Sequence, residues 1–279
     1  MRILTDGRSG GTPNPTIGYV TGMYAPATLV TIPFSHYCEK ARWALERAGV
    51  PFVEKAHLPF FHAAAVRRAG GTRQVPILVT DGTVVPDSTT ILRHADQRLA
   101  EPDRLFPSDA KIASEVERLV ALADEKIGPA TRRIAYFHLL PDREALATLI
   151  ARNATGYEAR LAAFCQPLLA FGIRKGVGID RARAERSQAT LDATLDAFDA
   201  LLADGRRYLA GDRFTAADLT LAALAAPLAF PSELAPIYGT DGDLPRGLLP
   251  SVEAVRARPS GAFVLRIYRE ERARRIAIS

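Results

Sequence analysis

Strand-forming patterns in this chain stop near residue 86, and every periodic stretch from residue 109 onward is helical. That one-sided distribution constrains the fold strongly. Strands interleaved with helices at the start can share one sheet, whereas a strand-free remainder must bury its apolar faces helix on helix. The first segment, 28–32, is β-branched and apolar, and 38–48 carries Ala41, Ala44, Leu45 and Ala48 at helical spacing before Gly49 and Pro51 end it. A strand at 52–56 and a short helix at 62–68 follow. Residues 76–80 and 83–85 flank an Asp81-Gly82 turn and read as a β-hairpin, and a third helix fits 89–99. The order βαβαββα implies a right-handed crossover, then an antiparallel hairpin and a helix, all in one four-stranded sheet.

At 279 residues the chain exceeds the usual single-domain size, and its pattern divides accordingly. Residues 1–27, rich in Gly, Pro, Thr and Asn and without periodicity, are expected to form a mobile extension. A small α/β domain covers 28–100. A linker at 101–108 docks through Leu105 and Phe106, and an all-helical domain covers 109–279. Its helices are expected at 109–126, 143–153, 157–170, 181–203, 216–228, 251–257 and from 260. Phe214-Thr215-Ala216-Ala217-Asp218 places a Thr-x-x-Asp capping box at the start of the fifth of these, a folding device that fixes a helix within the core.

With 48% hydrophobic and 24% charged residues, the composition is that of a globular protein, which excludes disordered and fibrous classes. The longest apolar run, 219–230, contains Pro227 and falls short of the roughly 20 residues a spanning helix needs, so no membrane association is expected. Two cysteines, Cys38 and Cys165, make no disulfide framework, and cytoplasmic residence is expected. The net charge of +5 comes from interleaved signs without a basic aromatic groove, so no nucleic-acid partner is expected. The one dense basic cluster, Arg266, Arg269, Arg272, Arg274 and Arg275, reads as a solvated terminal helix. His57 and His62 lack companion ligands, and no metal site is expected.

Chemistry concentrates in Ile32-Pro33-Phe34-Ser35-His36-Tyr37-Cys38, where a strand turns directly into a helix N-terminus. Free N–H groups and the positive end of the helix dipole converge beside Ser35, which either caps the helix or faces an anion held there. Val75-Pro76 puts a proline, a residue often cis in such a place, at a strand opening where the lost N–H is not needed. The Val75 backbone would then be free to pair with an extended peptide-like ligand. Asp87-Ser88-Thr89 opens the third helix, with N–H donors for a carboxylate and Asp87 for an ammonium, or Asp87 as a plain cap. Tyr136, Phe137, Phe263 and Tyr268 could line an apolar pocket, but aromatics at helical spacing more often belong to the core, and they are read as core.

Together these features resemble the glutathione S-transferase family, a thioredoxin-like domain followed by an all-helical domain, over about residues 28–275. The resemblance rests on Phe34-Ser35 through Arg42 and Leu45, on Val75-Pro76, on Asp87-Ser88, on the capping box, and on Leu248-Leu249-Pro250 with Arg258-Pro259. It implies that Ser35 is the catalytic position, that Val75 and Pro76 meet the cysteinyl part of glutathione, and that Asp87 and Ser88 hold its γ-glutamyl end. It further implies a homodimer that joins glutathione to a small electrophilic molecule, as in detoxification. Cys38 falls on the second position of the Cys-x-x-Cys of glutaredoxin-like relatives, but Ser35 replaces the first and His36 a common Pro, so dithiol exchange is not expected. The segments 132–180 and 231–250 exceed those of the smallest members and bear on the electrophile pocket.

The energetics suit such a role for Ser35. A thiol of pKa near 8.5 is only a few per cent ionised at neutral pH. A hydroxyl bond to the thiolate is worth about 1.5–3 kcal/mol and a helix N-terminus about 0.3–1, on the order of one to three pKa units together. Two rival readings share the scaffold: a glutathione-dependent reductase or dehalogenase, and a non-enzymatic binding module.

Overall fold

A computed structural model describes residues 26–154 and 156–274. Most of the 1–27 extension therefore lies outside the described residues, although Ala27 belongs to the first strand. Strands β1 (Ala27–Thr31), β2 (Phe52–Ala56), β3 (Ile77–Thr80) and β4 (Thr83–Pro86) form one sheet in the order β2-β1-β3-β4. β1 runs parallel to β2 and antiparallel to β3, with Leu29 opposite Leu78 and Val30 opposite Ile77. The two-residue period of these strands sends alternate side chains to opposite faces. Val30 and Ile77 meet Val66 of α2 (His62–Arg68) on one face, while Leu29 and Leu78 join the main core beneath α1 (His36–Arg47) and α3 (Ser88–Asp96) on the other.

The rest of the chain is helical: α4 (Ala110–Leu122), α5 (Gly128–Leu139), α6 (Arg143–Asn153), α7 (Gly156–Phe164), α8 (Gln166–Val177), α9 (Arg181–Leu202), α10 (Ala216–Ala229), α11 (Ala235–Tyr238), α12 (Leu249–Arg256) and α13 (Pro259–Glu271). Two departures from the sequence pattern matter. The helix expected to end near 126 instead passes through a π-helical turn, Ala123–Ile127, into α5, so that Gly128-Pro129 starts a new helix in line with the old one. Pro129 lies in the first turn of α5, where its missing N–H is not needed. The single helix expected over 157–170 is two, broken at Cys165, because Pro167 likewise favours a new first turn. A smaller apolar cluster beneath these helices, including Leu146, Ile150, Leu169 and Ile173, receives Phe34 and Phe61 from the α/β domain. The outer faces of α7 and α8 leave Phe164, Leu168 and Phe171 exposed. Among the described residues no single helix is long and apolar enough to cross a membrane.

α10 is apolar all round and almost wholly buried, the pattern of a central helix. Its start is fixed as the Thr-x-x-Asp spacing predicts. Asp218, fully buried, accepts from the amides of Thr215 (2.7 Å) and Leu209 (2.7 Å) and from the Thr215 hydroxyl (2.8 Å). α1 packs between the sheet and α10, and ten of its twelve residues are buried. Trp43 reaches Phe214 and Tyr268, with ring centroids 5.9 and 4.9 Å away. The terminal arginine cluster is not uniformly solvated. Arg272 folds back on α1, its Nε 2.5 Å from Glu39 and its Nη1 2.6 Å from Glu46, because those carboxylates lie buried or half-buried and need a counter-charge. Arg275 lies outside the described residues.

His36 joins the two domains where α1 begins: its buried Nε2–H donates to the Gly128 carbonyl at 3.0 Å. Burial, helped by the nearby Arg132 charge, lowers its pKa from 6.5 to about 3, so the folded protein holds the ring neutral.

Two expectations follow from these contacts. Asp218→Ala should lower the unfolding free energy by about 3 kcal/mol or more in urea denaturation, since it leaves two buried amides without acceptors. Below pH 6.5 the unfolded chain binds a proton at His36 that the folded chain refuses, so stability is lost as the pH falls through that value. His36→Gln, which keeps a donor, should remove about 2 kcal/mol of the destabilisation that wild type suffers between neutral pH and about pH 5. Identical pH profiles for the two proteins would show that this ring does not set the acid sensitivity.

Candidate functional site

Between the α/β domain and the helical domain lies a cavity of about 880 Å³. Ser35, Val75, Pro76, Asp87 and Ser88, drawn from three separate segments, all line it. The helical domain contributes the opposite wall through Arg132, Tyr136 and Leu139 of α5, Ile173 and Val177 of α8, and Tyr238. Both long segments noted in the sequence, 132–180 and 231–250, therefore shape this wall.

Ser35 is the N-cap of α1, with extended backbone, and its Oγ accepts from the Cys38 amide at a long 3.4 Å. That loose cap leaves the hydroxyl proton available on the cavity side. Cys38 points the other way. Its fully buried Sγ accepts from the Ile32 amide at 3.4 Å, and burial pushes the thiol up to about 11, so it is a protonated packing residue at neutral pH. Tyr37 lines the cavity and its hydroxyl donates to the Asp124 carbonyl at 3.4 Å. A β-carbon at Gly128 would lie 2.3 Å from that hydroxyl, so glycine is required there for Tyr37 to keep its place.

The Val75–Pro76 peptide bond is cis. At the start of α3, Asp87 adopts a positive φ of 46° and caps the helix, its Oδ1 accepting from the amides of Thr89 (2.9 Å) and Thr90 (2.8 Å). The capping alternative for Asp87 is thus realised, and its exposed carboxylate still borders the cavity beside the buried Ser88.

Sequence reasoning missed the group that ties this side of the cavity together. Lys40 is completely buried, and its Nζ meets both oxygens of Asp124 (2.7 and 2.8 Å) and the Thr89 hydroxyl (2.6 Å). Burial lowers the Lys40 pKa while Asp124 opposes that fall, and the pair bridges α1 to the π-helical turn. A lysine between Glu39 and Ala41 on a helix gave no separate signal, since its partner is remote in sequence. Tyr136, read from sequence as core, instead faces the cavity, whereas Phe263 and Tyr268 are buried in the main core and Phe137 packs on the smaller cluster. His57 is held by Glu158, with its Nδ1 2.6 Å from that carboxylate, which also accepts from the Leu58 amide.

The arrangement provides a helix N-terminus with a loosely engaged hydroxyl, a second helix N-terminus with a carboxylate, and a helical-domain lining that mixes Leu139, Ile173 and Val177 with Arg132 and Tyr136. Comparison with known proteins matches this description. Residues 29–103 match the model of the glutathione S-transferase N-terminal domain, and 181–258 that of its C-terminal domain. The fold is shared with a glutathione S-transferase from Methylobacillus flagellatus with GSH bound (20% identity, TM-score 0.50, 85% of this chain and 98% of that one). It is shared with glutathione transferase F2 of Populus trichocarpa (17%, 0.53, 88% and 99%) and with the beta-etherase LigF of a Sphingobium strain (20%, 0.55, 87% and 99%). No curated protein matches the chain by sequence. With both domain models matched in order and together spanning more than half of its length, the chain belongs to the glutathione S-transferase family.

Proposed function

We propose that the protein binds glutathione in this cavity and transfers its sulfur to an electrophilic carbon. The observation that carries this reading is the convergence of Ser35, Val75, Pro76, Asp87 and Ser88 on one cavity that the helical domain lines with mixed apolar and polar side chains. Asp87 and the N-terminus of α3 suit the ammonium and carboxylate of a γ-glutamyl group, and the Val75 main chain suits the cysteinyl amide. Arg73 and His62, on the same lining, supply donors for the terminal carboxylate. The M. flagellatus relative with GSH bound supports the choice of ligand.

In this reading the sulfur lies at the start of α1. The Ser35 hydroxyl donates to it and the free amides of the first turn add positive potential, which favours thiolate over thiol. The thiolate attacks the electrophile, a C–S bond forms, and the leaving group departs with its electron pair while the thiol proton passes to solvent. Ser35 acts as donor and the sulfur as nucleophile. The protonated, inward-facing Cys38 argues against thiol reduction through that residue. A purely binding module would retain glutathione on an affinity column without accelerating conjugation.

Ser35→Ala should raise the pKa of bound glutathione by at least about one unit and cut turnover at neutral pH about tenfold, with a smaller change in affinity. The check is the ultraviolet thiolate band titrated in wild type and variant; superimposable curves would reduce Ser35 to a helix cap. We further propose a homodimer. A single chain leaves Phe164, Leu168 and Phe171 exposed, a patch of the kind that association covers. Sedimentation at micromolar concentration should give twice the 30.2 kDa chain mass, and a strict monomer would refute it.

A further inference from the structure

The helical-domain lining of the cavity carries a charge that no described residue answers. Arg132 of α5 lines the cavity, forms no ion pair with any described residue, and its buried Nε–H has no acceptor among them. Other arginines turned into the fold among the described residues are paired: the buried Arg42 with Glu39 and Glu54, the buried Arg47 with Glu271, and the half-buried Arg272 with Glu39 and Glu46. The neighbouring Arg133 turns away to the Ser187 hydroxyl at 2.6 Å. Carboxylates on the cavity lining are already engaged. Asp87 caps α3, Asp124 holds Lys40, and Asp243 accepts from the Thr240 amide and Arg152. Arg132 faces aromatic groups instead, with its guanidinium carbon 5.8 Å from the Tyr37 ring centroid. Tyr136, one helical turn further on, lines the same cavity; burial, opposed by Arg132, holds its phenol at about 12, so it remains a donor at neutral pH.

A guanidinium without a counter-charge in a partly desolvated wall is costly to the free protein. A ligand that brings an oxyanion recovers that cost through paired, charge-assisted hydrogen bonds. Phe34, Leu139, Ile173 and Val177 surround the same space with apolar surface. We propose that the second substrate is an anionic electrophile, an apolar or aromatic body bearing a carboxylate-type group that Arg132 pairs and Tyr136 supports. This rests on the transfer reading for its chemistry, but the anion site itself is open to direct measurement without glutathione.

The probes are 4-chloro-3-nitrobenzoate and its methyl ester, which share the reactive carbon and differ in charge, titrated calorimetrically into the full chain. Arg132→Leu should weaken benzoate binding by about tenfold or more and ester binding by less than about twofold, and Arg132→Lys, which keeps the charge but not the paired donors, should fall between wild type and the leucine variant for the benzoate. Should the leucine variant fail to fold by circular dichroism, Arg132→Gln makes the same comparison. Equal losses for acid and ester, or no binding of the benzoate to wild type, would overturn the proposal. So would a parallel loss of glutathione affinity in the variant, which would assign Arg132 to the glutathione subsite. If the benzoate binds through Arg132 but no conjugate forms when glutathione is added, the anion site stands and the transfer reading fails.

Discussion

Everything in this structure leans on the burial of α1 from both sides. The helix packs on both α3 and α10, with Ala41, Ala44 and Leu45 in the shared core and Trp43 against Phe214 and Tyr268 of the helical domain. Since ten of its twelve residues are buried, its charged side chains cannot be left to solvent. Lys40 is answered by Asp124, Arg42 by Glu39 and Glu54, Arg47 by Glu271, and Glu39 again by Arg272. Removing one partner of such a pair leaves an uncompensated buried charge and costs more than the pair contributes. Three of these pairs, Lys40–Asp124, Arg47–Glu271 and Glu39–Arg272, join the α/β domain to the helical domain.

That docking creates the cavity. The α1 N-terminus points its free amides and Ser35 into the gap, while the π-helical turn and α5 bring Asp124, Arg132 and Tyr136 to its edge. Three polar side chains at the start of α1 are committed to different tasks by geometry. His36 is neutral and bound to Gly128, Cys38 is protonated and turned inward, and the Ser35 hydroxyl is only loosely engaged as a cap. Burial decides this division of labour, because desolvation disfavours the charged forms of His36 and Cys38 alike.

The legible parts of the chain were those written in short-range code. β2, α2 and α6 begin and end where their residue patterns place them, and the β3–β4 hairpin is set by its Asp81-Gly82 turn. The Thr215–Asp218 spacing foretold the start of α10. Continuation of α4 through the π-helical turn was not legible, since Gly128-Pro129 is a stop signal on local grounds and only the packing of that turn against α10 and α9 overrides it. Arg272 misled for a related reason: a terminal run of arginines looks solvated until a partner helix presents Glu39 and Glu46.

By itself, then, the sequence determined the order of elements, the two-part organisation, and which segments supply Ser35, Val75, Pro76, Asp87 and Ser88, because periodicity, turn chemistry and capping act over a few residues. Only the tertiary structure decided that Lys40 and Asp124, 84 positions apart, join the domains, and that Tyr136 and Arg132, unpaired among the described residues, line the same cavity as Ser35. Charge pairing and cavity shape depend on distances between remote segments. Those distances are set when the apolar faces of α1, α10 and α13 close on one another.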